Sequence, residues 1–309
     1  MEIGDVLLNH SLLWLKLQKG GTMTGSIVNE GHEGENEQLF KERFLNGNSA
    51  PHINGSNGHT VNGDIAHING NGHSVNGNGA LHANGNGRST GRDNKPVVIR
   101  RYKPEDRAAI RQICCDTGFL GNPIETIFSD REVFADLFTN AYLDYGANWA
   151  WVADDDGRVV GYLLGAVSAS FNYTLMYSGF QTTMKMITRA AKGCYAGHPR
   201  SRHFIRWLLT NGYREQPKHP DKAAHLHLNV EKSHRGHGLG LRLWRAFEKQ
   251  LEGAGIRNCY GAFFSRPKRR PEAVYSRLGF SVFDRKATTI FQPEVSEPVE
   301  IVCVHRKFA

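Results

Sequence analysis

The segment HLHLNVEKSHRGHGLGLRLWRAFEKQL, His225 to Leu251, sets a half-apolar run against an Arg-Gly-His-Gly-Leu-Gly knot and then a helical pattern. A strand that feeds straight into a helix leaves the first-turn amides pointing outward without internal partners. With the helix dipole they form an anion site, best suited to phosphate. Gly236, Gly238 and Gly240 lack Cβ atoms, so a diphosphate can lie against the backbone, and Arg235 puts a positive charge at the rim. A dinucleotide fold needs Gly-x-Gly-x-x-Gly inside a βαβ unit, whereas this spacing is Gly-x-Gly-x-Gly and falls late in the chain. A P-loop closes on Gly-Lys-Ser/Thr, and the knot closes on Gly-Leu-Arg.

Other groups with chemical potential lie close by. His225, His227 and Asn229 alternate along the strand and share one face, while Leu226, Leu228 and Val230 share the other. Two histidines without a third ligand do not make a metal site, and none is expected. The five cysteines are odd in number, Cys114 and Cys115 are adjacent, and no CxxC spacing occurs. That pattern fits reduced thiols in the cytoplasm or nucleus rather than disulfides or a zinc framework. Cys115 falls in a helical pattern and reads as a packed side chain rather than a nucleophile.

The elements that must position these groups begin near Pro96. Val97–Tyr102 reads as a strand, and Pro104 opens a helix with acids in its first turn. Arg131–Gly146 carries Phe134, Leu137, Phe138 and Tyr142 at helical spacing. Two strands then flank Asp156-Gly157, a hairpin by its turn chemistry. A helical insert, 168–223, rich in aromatic and basic residues, precedes the His225 strand. After the knot come a helix to Glu252, the strand NCYGAFFS, a short helix RPEAVYSRLGF, and two closing strands. The order is β-α-α-β-β-(insert)-β-α-β-α-β-β, an α/β domain.

Arg235-x-x-Gly238-x-Gly240, after a strand ending at Val230, resembles the acyl-CoA signature [RQ]xxGx[GA] of the GNAT-type N-acetyltransferase superfamily. AVYSRLGF, with Tyr275 four residues before Gly279-Phe280, is similar to a second element of that family at the expected distance. The hexapeptide alone is weakly specific; the ordered series of strand, knot, helix, strand and Tyr-x-x-x-Gly-Phe is strongly so. The resemblance spans Val97 to Phe308, thinly across the insert. Within the superfamily, CCDTG, VVGYLLGA and HLHLNV look most like the branch related to the acetyltransferase-like domain of N-acetylglucosamine-processing proteins.

The resemblance implies a GNAT fold: a mixed, mostly antiparallel central sheet flanked by helices, with the insert before the CoA-binding strand. It implies acetyl-CoA as cosubstrate, its pantetheine arm on the backbone of Leu228, Asn229 and Val230. The diphosphate would sit on the amides of His237, Gly238, Leu239 and Gly240, with Arg235 and Gly236 shaping the loop. Where the family often has Asn seven residues before the tyrosine, this chain has Lys268, and Lys268, Arg269 and Arg270 are expected to contact CoA phosphates instead. Tyr275 would give a proton to the departing thiolate. An amine is mostly protonated at neutral pH, so a base must also act; His227 is the candidate, with Glu231 and Asp116 as carboxylate options. The acceptor site is expected from the Cys115–Pro123 loop and from the aromatic insert around Phe171–Tyr177 and Phe204–Trp207. The expected acceptor is a small-molecule amine such as an amino sugar. A protein or histone acetyltransferase and a catalytically silent acyl-CoA or sugar sensor are the other two readings.

Residues 1–95 carry a different composition. Ten Asn-Gly pairs fall between Leu45 and Asn94 with almost no large side chains, too little apolar area to offset the entropy of ordering. This stretch reads as a disordered low-complexity tail, and its scattered histidines (His52, His59, His67, His73 and His82) as having no fixed metal geometry. Met1–Leu17 is apolar but too short and too interrupted to span a membrane, and its Glu2 and Asp5 are wrong for a secretory leader. The net charge of +8 suits a polyanionic ligand, but no nucleic-acid module is evident. It counts against a strongly basic acceptor.

Overall fold

The strands of the sheet follow chain order except at its last edge, where the final two are exchanged. The computed structural model describes residues 96–167 and 171–308; the expected tail, 1–95, lies outside the described residues. Seven strands form a single sheet: β1 (Val98–Arg101), β2 (Ala150–Asp155), β3 (Arg158–Ala166), β4 (Ala224–Val230), β5 (Asn258–Ser265), β6 (Ser281–Thr288) and β7 (Val299–Lys307). Their order is β1-β2-β3-β4-β5-β7-β6. Every neighbouring pair is antiparallel except β4 with β5. That parallel ladder holds only Ala224↔Cys259 and His225↔Tyr260, after which the two strands part.

Two helical layers cover the sheet. On one face lie α1 (Arg107–Thr117) and α2 (Arg131–Tyr145). A 3-10 turn at Pro104–Asp106 starts α1, and the Asp106 carboxylate accepts from the Lys103 amide and from Arg100. At the start of α2 the Asp130 carboxylate accepts from the Val133 amide at 3.0 Å, a side-chain cap worth about 1 kcal/mol. The core of this face gathers Ile110, Ile113, Phe134, Phe138, Tyr142 and Tyr162. The other face carries α5 (Leu239–Gly253) and α6 (Glu272–Arg277), which bury Leu243, Trp244, Phe247 and Tyr275 against Leu226, Leu228 and Phe263.

The insert holds two described helices, α3 (Phe171–Ala191) and α4 (Pro199–Thr210). Of the aromatics expected to line the acceptor site, Phe171, Phe204 and Trp207 are buried in the core, while Tyr173 is exposed. Phe171 packs on Tyr142 at 5.0 Å, Phe204 stacks on Phe128 at 4.7 Å, and Phe204 and Trp207 are buried. Polar ties fix the same surface: Lys185 bridges Glu132 and Asp136, Arg189 pairs with Asp130 and Glu132, and the Tyr195 hydroxyl donates to Asp130 at 2.7 Å. Beyond α4, Glu215 accepts from the Trp207 indole and from the Thr289 amide, both at 2.7 Å. The buried side of the insert therefore buttresses α2. Full burial of each large aromatic contributes about 1.5–3 kcal/mol, which outweighs any one of these half-exposed ion pairs.

Candidate active site

The site is built where β4 and β5 diverge. Up to Val230, β4 is held by β3, from Ala166↔His225 to Gly161↔Val230. Past the Tyr260 pair nothing ladders β4 to β5, so a wedge opens between them toward the C-terminal end of β4. The glycine knot stands at that end. A 3-10 turn, Lys232–His234, leads into Arg235, then Gly236 at φ +85° and Gly238 at φ +74°, the residue capping α5. Both angles lie in the left-handed region that glycine adopts without strain. A Cβ built on either residue meets nothing within 4 Å. The space before the first-turn amides of α5 is thus open, and Gly236, His237 and Gly238 are exposed. An open glycine turn before free helix amides has the form of an anion site, and the residues present fit this cradle to a diphosphate.

Arg235 does more than place a charge at the rim. Its Nε donates to the Val230 carbonyl at 2.9 Å and its Nη1 to the Gly121 carbonyl at 3.0 Å. Lys268 is exposed on the loop between β5 and α6. Arg269, expected beside it as a phosphate contact, has its Nη1 engaged, donating to the Leu120 carbonyl at 2.6 Å. The two arginines reach consecutive carbonyls of the loop that joins α1 to α2.

The proton-handling candidates stand on opposite faces of the sheet. Tyr275 is 3% exposed on α6, its ring stacked on Phe263 of β5 at 4.6 Å and edge-on to Phe280 at 5.5 Å. His227 is buried on the α1–α2 side, edge-on to Tyr162 at 5.5 Å and 6.2 Å from the Tyr142 ring. Asn229 Nδ2 donates to the Tyr162 hydroxyl at 2.8 Å and to His227 Nε2 at 3.1 Å. With the amide in this orientation Nε2 accepts, the arrangement that would suit a ring carrying its proton on Nδ1. Burial holds the Tyr162 hydroxyl well above the usual tyrosine range, which keeps it protonated. His225 shares a 2.8 Å hydrogen bond with the Tyr142 hydroxyl and packs on Tyr260 at 4.9 Å.

The carboxylate options are engaged elsewhere: Asp116 pairs with Arg131 at 2.6 Å and Glu231 with Arg158 at 2.7 Å. Cys115 is buried, and that burial pushes its thiol up to about 12, so it is not a nucleophile at neutral pH. Among the described residues no group of three or more His, Cys, Asp or Glu could hold a metal, and no helix is long and apolar enough to cross a membrane. Sequence reasoning missed the roles of Tyr142 and Tyr162. Helical or strand spacing marks such residues as core, and only tertiary structure puts their hydroxyls on His225 and Asn229.

The model of the acetyltransferase (GNAT) family matches residues 122–280, more than half of the chain, and the chain belongs to that family. Its members are acyltransferases that move an acetyl group from acetyl-CoA, which is the chemistry the wedge and cradle suit. No curated protein matched. Similar solved structures include SsHAT, at 24% identity over 69% of this chain and 99% of that one, with a TM-score of 0.46. The ribosomal-protein-alanine N-acetyltransferase of Brucella melitensis is 14% identical over 68% and 99% of the chains, TM-score 0.41. The yncA protein of Salmonella typhimurium, solved with its cofactor acetyl-CoA, is 17% identical over 70% and 95%, TM-score 0.41.

Proposed function

We propose that this chain acetylates the primary amine of a small molecule, an amino sugar being the favoured class, by direct transfer in a ternary complex. The observation that carries the reading is the open, positive-φ glycine cradle set at the mouth of the β4–β5 wedge. Acetyl-CoA supplies the activated acyl group as a thioester. The backbone of Leu228–Val230 lines the wedge and orients the arm. An amide near Val230 would polarise the thioester carbonyl. Gly236–Gly240 bind the diphosphate, with Lys268 at the rim.

His227 takes the amine proton at Nε2, directly or through a water. For that the Asn229 amide turns over and presents Oδ1 to the newly protonated ring, while the Tyr162 hydroxyl donates to the same oxygen. Tyr275 delivers a proton to the departing thiolate. The charge distribution supports a small or acidic acceptor over a basic tail. The insert, 168–223, holds nine Lys or Arg against two Asp or Glu, a field that repels polycations.

Calorimetric titration with acetyl-CoA, followed by thiol release over a panel of amines and amino sugars, tests the reading. The expected result is saturable binding with turnover on amino sugars. Binding without turnover on any amine would favour a silent sensor, and turnover on peptides alone a protein acetyltransferase.

A further inference from the structure

The loop between α1 and α2 closes on a turn that its own sequence does not favour. Phe119 and Asn122 exchange backbone hydrogen bonds of 2.8 and 2.9 Å, and the two residues between them, Leu120 and Gly121, both have positive φ, +49° and +84°. Gly121 adopts this freely. Leu120 does not, because a Cβ in the left-handed region crowds the following carbonyl, at a cost of about 1–2 kcal/mol. Such strain persists only where the surroundings over-determine the conformation. The tip of this turn is also buried, Leu120 being 5% exposed, although loop tips ordinarily face water.

What over-determines it is the pair of arginines. Arg235, from the glycine knot, holds the Gly121 carbonyl, and Arg269, from the loop between β5 and α6, holds the Leu120 carbonyl. The two bonds come from opposite walls of the wedge, since Arg235 follows β4 and Arg269 follows β5. Arg235 also holds Val230, the last residue of β4. On the far wall, the backbones of Arg266 and Arg269 exchange hydrogen bonds of 3.0 and 2.8 Å, which fixes the root of the Arg269 side chain. The turn is thereby strapped across the mouth of the wedge.

We propose that Arg235 and Arg269 are positioning residues that couple the diphosphate cradle to the Phe119–Asn122 turn, so that filling the cradle sets the loop that meets the acceptor amine. The proposal rests on the reading of the knot as the acetyl-CoA site. Each guanidinium gives one donor to a backbone carbonyl of the same strained turn, and Arg235 gives a second to the end of β4. The diphosphate and this turn therefore share Arg235 as a common neighbour. Binding on the cradle fixes Gly236–Gly240, hence Arg235, hence the Gly121 carbonyl. Arg269 supplies the second anchor without which the turn pivots about the first.

The test is amide hydrogen exchange across residues 117–123 of the full chain, with and without acetyl-CoA, alongside calorimetry on the same samples. In the wild type, acetyl-CoA is expected to slow exchange at the Phe119 and Asn122 amides by about tenfold. In Arg269→Ala that protection is lost while acetyl-CoA affinity stays within about twofold, and Arg269→Lys, which keeps the charge and the stem, recovers part of it. If Arg269→Ala unfolds, Arg269→Lys and Arg269→Gln carry the comparison through graded loss of the same protection. Equal protection in wild type and variants would overturn the coupling, as would an acetyl-CoA affinity that falls in step with it, because Arg269 would then be a phosphate ligand. A wild type that does not bind acetyl-CoA would overturn the reading of the cradle itself, and the proposal with it.

Discussion

Replacing Gly238 by alanine separates the cradle from the fold that carries it. The residue caps α5 at φ +74°, and a Cβ there would meet no atom of the protein within 4 Å. The packing cost in the free protein is therefore nil, and the stability loss reduces to left-handed strain, about 1–2 kcal/mol. For a folded domain of this size that is a fall in Tm of roughly 2–8 °C. The methyl group would occupy the space a diphosphate needs to approach the first-turn amides. Two charge-assisted hydrogen bonds lost at about 1.5 kcal/mol each amount to about 3 kcal/mol, or roughly a hundredfold in Kd for acetyl-CoA. Calorimetric titration reads the affinity and differential scanning calorimetry the stability. If Gly238→Ala bound acetyl-CoA within about threefold of wild type, the diphosphate would not lie on the knot, and the assignment of Arg235 to Gly240 would fall.

Tyr275→Phe keeps the stack on Phe263 and removes only the hydroxyl. Turnover is expected to fall about 10²–10⁴-fold with acetyl-CoA affinity unchanged, and an undiminished rate of thiol release would exclude Tyr275 as the acid. Iodoacetamide at pH 8 should modify Cys194, the exposed cysteine, at least tenfold faster than the four buried ones; peptide mapping that found Cys115 equally reactive would contradict its raised pKa. The Asp130–Glu132 cluster should make the insert acid-labile. Hydrogen bonds from Lys185 and Arg189 hold the Glu132 carboxyl down at about 2, and Arg189 and Tyr195 outweigh burial to lower that of Asp130. A depressed folded pKa means stability that is present above the ordinary carboxylate range and lost as pH falls through the folded value. Hydrogen exchange in α3 should therefore rise between about pH 4.5 and 2, ahead of the sheet; uniform exchange would place the stability elsewhere.

Much of this molecule was legible because its signals are local. Asp156-Gly157 between two apolar runs specifies its hairpin, and the glycines after HLHLNV mark the start of the following helix, although not the 3-10 turn that precedes them. The alternation of His225, His227 and Asn229 with leucines placed the polar set on one face, where the structure has it. The buried side of the insert was not legible, because aromatic content at helical spacing is the same for a lid as for a buttress. Phe204 becomes core only through Phe128 and Phe134, more than 65 positions earlier. The anchoring bond of Arg269 was hidden for a related reason. A basic run beside a phosphate site looks like phosphate contacts, and nothing in the sequence announces that Leu120, a residue with no liking for the left-handed region, would present a carbonyl to it.

The two-pair ladder between β4 and β5 has a mechanical consequence. The seven strands are in effect two panels, β1 to β4 and β5 with β7 and β6, sewn together along a seam of Ala224↔Cys259 and His225↔Tyr260. Helices bridge the panels, but the backbone stitching stops where the wedge opens. A ligand whose arm pairs with β4 inside that wedge lengthens the seam and so becomes a strut of the fold as well as a reactant. Its binding free energy adds to the stability of the native state at saturation, by about 2.7 kcal/mol at a hundredfold excess over Kd. Each product release would then loosen the joint that the next molecule of substrate must tighten again.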